Sequence, residues 1–174
     1  IRQTFQDTEA LMINYLLQPR RAALLIAIAS FIVVGSAISS EIFGGLAPCV
    51  LCLYQRIPYA ITIALGLAGF AAPRLLVPLM LLAALAFLTG GGIAVFHVGV
   101  EEAWWTGTEA CVGTQDKAAS IDELRAQIMA TPVIRCNDIQ WSLFGISMAG
   151  YNVLTSLALA IYSLLVAREK FTRP

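Results

Sequence analysis

Charge is what this sequence has least of. Only 13% of its 174 residues are Asp, Glu, Lys or Arg, against 59% hydrophobic, and the mean hydropathy is +0.78. A soluble domain carries about a quarter charged residues to cover its surface, so a water-soluble globule is excluded. Eleven basic and eleven acidic residues cancel to a net charge of zero, and no basic surface offers itself to nucleic acid. Histidine occurs once, at His97, and cysteine four times. Polar sequence is equally scarce, residues 99–140 being the one long hydrophilic stretch.

What is abundant is apolar sequence in long runs. Residues 22–39, 53–72, 75–98 and 141–167 each reach or approach the ~20 residues needed to cross a bilayer. The expected fold is therefore an all-α membrane protein: a four-helix transmembrane bundle forming a single integral membrane domain over residues 1–174, with loops at 40–52 and 99–140. The first run lies too far into the chain, with no polar domain after it, to read as a cleaved signal peptide. Before it, Leu11, Met12, Tyr15 and Leu16 share one face of a short amphipathic helix. Pro48 suits the first turn of the second helix, and Pro58 inside that helix is expected to kink it. Thr89-Gly90-Gly91-Gly92 in the third span offers a close-packing surface. Gly145 and Ala149, four apart, offer a small-xxx-small face in the fourth. In the long loop, Ser120-x-x-Glu123 forms a capping box, followed by Leu124 and Ile128 on one face until Pro132. This short amphipathic helix is bracketed by the interface-type residues Trp104, Trp105 and Trp141.

Orientation follows from lysine and arginine. Arg2, Arg20, Arg21, Arg74, Arg168, Lys170 and Arg173 fall on one side, and Arg56, Lys117, Arg125 and Arg135 on the other. The bias puts both termini in the cytoplasm and both cysteine pairs, Cys49/Cys52 and Cys111/Cys136, on the oxidising face, where disulfides persist.

The densest chemistry lies in Pro48-Cys49-Val50-Leu51-Cys52-Leu53-Tyr54-Gln55-Arg56. A Cys-x-x-Cys at a helix start favours a thiolate, through its own geometry and the positive end of the helix. Arg56, on the same helical face as both thiols, is either an anchor at the headgroup level or a cation stabilising a thiolate or a bound electron acceptor. His97 is either an interfacial residue or a proton and hydrogen-bond partner for that acceptor. The Cys111/Cys136 pair is either a structural staple or an exposed pair on a movable loop, suited to docking a soluble redox partner. Haem attachment fails because Leu53 stands where Cys-x-x-Cys-His needs histidine. A four-cysteine zinc site lacks a second close spacing, so no metal is expected.

The Pro-Cys-Val-Leu-Cys-x-Tyr-x-Arg stretch, four spans, and a second cysteine pair between spans three and four together resemble the DsbB disulfide-bond-formation family. Gln55 stands where that family often carries an acidic residue. The resemblance implies an enzyme of the bacterial inner membrane, a quinone-dependent thiol oxidase with its active site on the periplasmic side. It would reoxidise a periplasmic thioredoxin-fold partner of the DsbA type and pass the electrons to ubiquinone or menaquinone. It also implies roles. Cys111 would be attacked by the partner's thiolate, and Cys136 would relay electrons to Cys49. Cys52 would face the quinone, and Arg56 would hold the quinone and stabilise the Cys52 thiolate, with His97 in support. A vitamin-K-epoxide-reductase-like protein is a related alternative, although its Cys-x-x-Cys is expected late in the bundle. A non-enzymatic membrane protein with structural disulfides or a cysteine metal site is the alternative from another class.

Overall fold

Each long helix begins and ends where local chemistry permits. In the computed structural model, which describes residues 16–112, 120–122, 125 and 135–172, α1 (Pro19–Gly44) has proline in its first turn, where the missing N–H has no partner to lose. It stops at Gly45, whose φ of 65° closes the helix with an N–H bond to the Ser40 carbonyl. α2 (Val50–Ala71) follows, then a 3₁₀ turn at Pro73–Leu75 and α3 (Leu76–Glu101). A single helical turn, α4 (Glu109–Val112), precedes a two-stranded antiparallel hairpin of β1 (Ser142–Leu143) and β2 (Ile146–Ser147), which leads directly into α5 (Met148–Thr172).

Several sequence expectations shift here. Pro48 lies just outside α2 rather than in its first turn. Cys49 takes the N-cap, with φ −74° and ψ 169°, because its sulfur can accept the Cys52 N–H at 3.2 Å. The loop expected over 40–52 shrinks to 45–49, since α1 continues to Gly44. The fourth helix starts at Met148, not Trp141. Its expected first turn is a hairpin whose central residues, Phe144 and Gly145, have φ 53° and 77°, the all-positive pattern that matches strand twist. Gly145 is thus a turn residue and forms no helix-packing face with Ala149. The amphipathic helices expected before residue 16 and over 120–131 fall on or largely on residues outside those described.

Helices α1, α2, α3 and α5 are each long and apolar enough to cross a membrane. The 26 residues of α1 rise about 39 Å, against a hydrocarbon core of about 30 Å. The bundle is turned inside out relative to a soluble one. Phe31, Ile32, Leu85, Leu88, Leu157 and Ile161 point outward, while Ala22, Ala23, Ala83, Ala84, Ala160, Ser30, Thr62 and Ser163 are buried. Lipid is as apolar as leucine, so association rests on close packing of small residues. A Cβ on Gly66 would lie 2.7 Å from the Ala23 carbonyl oxygen, and one on Gly90 would lie 3.2 Å from the Pro58 ring. Glycine therefore lets α2 approach α1, and lets α3 receive the proline of α2. Ser30 and Thr62 share a buried hydrogen bond of 2.8 Å. Such a bond contributes only about 0.6 kcal/mol in a bilayer, so close packing contributes more to holding the helices together. α1 lies against α2, α2 against α3, and α3 against α5, whereas α1 and α5 touch lightly. That loose seam holds a cavity of about 440 Å³.

Candidate functional site

The site is built at the start of α2. As N-cap, Cys49 aims its sulfur back over the first turn, where Cys52 is the third helical residue. The two sulfurs lie 2.8 Å apart without being bonded. His97, nearly a turn from the end of α3, brings Nε2 to 3.5 Å from the Cys49 sulfur. The Cys49 thiol is held down at about 4, first by the hydrogen bond from Cys52, then, against the opposing effect of burial, by the hydrogen bond and charge of His97.

Behind this pair runs a chain of polar side chains that crosses three helices. Gln55 Nε2 lies 2.9 Å from His97 Nδ1. Asn152 Nδ2 donates to Gln55 Oε1. The Tyr59 hydroxyl donates to Asn152 Oδ1 at 2.5 Å and lies 2.9 Å from the Ser156 hydroxyl. On the other side of His97, Glu101 Oε1 stands 3.8 Å from Nε2 with both side chains almost fully buried, and Glu101 Oε2 accepts the Ser147 hydroxyl. Ser147 in turn caps α5 by accepting the Gly150 N–H at 3.1 Å. The described residues contain no buried side-chain nitrogen or oxygen without a partner. The network is thus fully connected, as a polar cluster at membrane depth must be.

Cys49, Cys52, Arg56, His97 and Glu101 all line a cavity of about 440 Å³ in the seam between α1 and α5. Its remaining wall is largely apolar, with Val33, Val34, Ala37, Leu46 and Leu143. This volume and this mix of an apolar wall with a few converging polar groups suit a small organic ligand.

The structure distributes the sequence candidates unevenly. Cys49, Cys52 and His97 converge. Arg56 shares their cavity, but its guanidinium is engaged by Glu41 at 2.9 Å rather than by Cys52. The stabilised sulfur is Cys49, whereas the family resemblance places that stabilisation at Cys52. Cys111 and Cys136 are joined in a disulfide, with Cα atoms 5.1 Å apart. They are not exposed as the loop's polarity suggests. At 3% and 1% accessible they pack with Cys49, Leu51 and Val100 in one cluster, and the Cys111 carbonyl accepts the Cys136 N–H. Cys49 and Cys52 are the free thiols. Sequence reading missed Gln55, Glu101, Glu41, Asn152 and Tyr59 as parts of the site. The signal available was a polar or ionisable residue inside or at the edge of a spanning helix.

Fold and site together define a multi-pass membrane protein with a reduced dithiol beside a cavity and a disulfide packed against it. The family model for disulfide bond formation protein DsbB matches residues 19–166, and the chain belongs to that family. It is 27% identical to the disulfide bond formation protein B of Actinobacillus pleuropneumoniae serotype 5b (strain L20), covering 88% of each chain. It is 29% identical to the corresponding protein of Methylobacillus flagellatus, covering 91% of this chain and 99% of that one. Identity to that of Xylella fastidiosa (strain Temecula1) is 30%, over 75% and 79%. No solved structure gives a significant match.

Proposed function

We propose that this protein is a membrane thiol:quinone oxidoreductase that reoxidises a periplasmic, thioredoxin-fold dithiol partner and so sustains disulfide formation. Family membership supports thiol oxidoreductase chemistry. The observation that carries the finer reading is the shared cavity: Cys49, Cys52, Arg56 and His97 line one apolar-walled space in the seam between α1 and α5. The lysine and arginine bias supports a periplasmic location for this end of a single bundle in the bacterial inner membrane, with both termini cytoplasmic.

A quinone, when bound, supplies an acceptor for two electrons and two protons. The residues present fit it: the apolar wall suits the ring and isoprenoid, Arg56 supplies a hydrogen-bond donor, and His97 supplies a proton-exchanging group. The protein's own part is a series of exchanges in which each step forms one S–S bond and breaks another. The partner's thiolate attacks Cys111 and releases Cys136. The partner's second thiolate then attacks the mixed disulfide, which frees Cys111 and releases the partner with its own disulfide formed, and the electron pair resides on Cys111 and Cys136. Exchange with the Cys49–Cys52 disulfide moves that pair inward, helped by the presence of Cys49, Cys111 and Cys136 in one buried cluster. His97 donates to Cys49 and holds it as a thiolate, while the buried Glu101 balances the imidazolium charge. The site is thereby left as the structure has it, with the outer pair oxidised and the inner pair reduced.

The test is direct. Purified protein is mixed with ubiquinone or menaquinone and a reduced thioredoxin-fold dithiol protein, and quinone absorbance is followed. Stoichiometric loss of quinone is expected, and no loss would overturn the reading.

A further inference from the structure

The residues that handle electrons also form a donor set for a metal ion. The sulfurs of Cys49 and Cys52 and a ring nitrogen of His97 all lie within 4.8 Å of one another. In a tetrahedral zinc site, bond lengths of about 2.3 Å to sulfur and 2.0 Å to nitrogen put ligand atoms roughly 3.5–3.8 Å apart. The Cys49–His97 separation of 3.5 Å already has that value. The Cys49–Cys52 separation of 2.8 Å would open by about 1 Å, and the Cys52–His97 pair, within 4.8 Å, would settle at the same spacing. Two thiolates and a neutral imidazole give the soft donor set that zinc and its congeners favour. Two thiolate charges offset those of the dication, where a lone thiolate pair would be costly. The fourth position faces the cavity that the three donors line, which provides entry and room for a water.

The surroundings accommodate this second use. Zinc needs the His97 Nε2 lone pair, so the proton must sit on Nδ1 and be donated to Gln55. Gln55, Asn152, Tyr59 and Ser156 each carry both a donor and an acceptor. Turning the two amides over and rotating the two hydroxyls reverses the whole chain without breaking it. Such outer partners orient metal-bound histidines generally.

We propose that the reduced form of this protein binds one soft divalent cation, Zn²⁺ or a congener, at Cys49, Cys52 and His97, and that the ion holds the enzyme in its reduced, inactive state. Binding replaces the remaining thiol and imidazolium protons and forms two metal–sulfur bonds. A Cys49–Cys52 disulfide offers no thiolate, so the ion and the oxidised site exclude each other. The proposal rests on the functional reading above only for its inhibitory consequence.

The experiment uses Co²⁺ as a spectroscopic probe on the full chain in detergent, reduced anaerobically with a phosphine and free of quinone. It is run on the wild type and on a C111S/C136S variant whose only thiols are Cys49 and Cys52. A near-ultraviolet sulfur-to-cobalt charge-transfer band saturating at one ion per chain, and displaced by Zn²⁺, is expected in both. It should be absent from the oxidised protein. His97→Ala and the milder His97→Gln, each checked for helical content, should weaken Co²⁺ binding by about tenfold or more. No band in C111S/C136S, or affinity unchanged in both His97 variants, overturns the proposal. Quinone reduction by the wild type is assayed separately without metal. Turnover without a cobalt band sinks the metal site alone, and a band without turnover sinks the oxidase reading alone.

Discussion

The two cysteine pairs are solutions to opposite problems. Cys49 and Cys52 are held three residues apart by the first turn of a helix, unbonded, with one sulfur surrounded by hydrogen-bond donors. Cys111 and Cys136 are separated by 25 positions and joined. Closing a loop of that length removes about 3 kcal/mol or more of chain entropy from the unfolded state in the loop-closure account. The inner pair owes its geometry to α2 and its electrostatics to α3. The outer pair joins two distant points of the chain and sits in one buried cluster with Cys49 and Leu51. The outer disulfide is almost inaccessible, at 3% and 1%, whereas the inner pair borders an open cavity.

The sharpest way to break the comparison is to remove one sulfur from each pair. Cys52→Ser should reduce quinone consumption to background whatever the electron donor. Cys111→Ser should do so only with the protein donor and leave turnover driven by a small dithiol such as dithiothreitol. Quinone absorbance with the two donors checks this, and equal loss in both variants would erase the distinction.

A smaller effect is expected from the groups beside the inner pair. His97→Ala and Glu101→Gln should each slow quinone reduction by roughly 10²-fold, the usual worth of a positioned proton-handling group. Trapping of the partner as a mixed disulfide at Cys111 should be unaffected. Stopped-flow turnover alongside gel-shift trapping separates the two.

The pH dependence sharpens the contrast further. With its thiol held down at about 4, Cys49 is a thiolate throughout the neutral range, and its reactivity is lost only as pH falls through that value. Its alkylation by iodoacetamide should therefore be nearly flat between pH 6 and 8. An ordinary thiol would gain about tenfold per unit over the same range, being mostly protonated there. Mass-spectrometric rates on the reduced protein check this, and a steep rise at Cys49 counts against the His97 pairing.

The smallest effect belongs to Arg56. Its bond to Glu41 lies in a partly exposed place, with the carboxylate 38% accessible, so Glu41→Gln should change thermal stability by less than about 1 kcal/mol. Arg56→His should instead raise the apparent KM for quinone several-fold with little change in folding. An unchanged KM would leave Arg56 as an anchor.

Much of this architecture was legible in the sequence. Four apolar runs of spanning length need no partner to be recognised, and the Cys-x-x-Cys register with Arg56 follows from helix geometry alone. The hairpin at 142–147 was not legible. Six mostly apolar residues beside an apolar run carry no periodicity of their own, and only the pair Phe144-Gly145 hinted at a turn. Nor could the sequence assign Glu41 to Arg56, because that meeting depends on how Gly45 ends α1. The His97–Gln55–Asn152–Tyr59 chain joins residues up to 97 positions apart. Nothing local announces such a connection except that each member is too polar for the lipid it would otherwise face.

The capping role of Cys49 has a consequence for how this protein reports its own history. The Cys49 sulfur, proposed to take part in electron exchange, is also the acceptor for the Cys52 N–H, the third amide of α2. A thiolate accepts that N–H well, and a disulfide sulfur, stripped of its charge, accepts it poorly. Under the proposed function, each oxidation of Cys49 would loosen the entrance of a membrane-spanning helix, and the oxidation state would be written into the amide of Cys52 as well as into the sulfurs. A docking protein that senses the end of that helix would have a mechanical readout of whether the site is charged or spent.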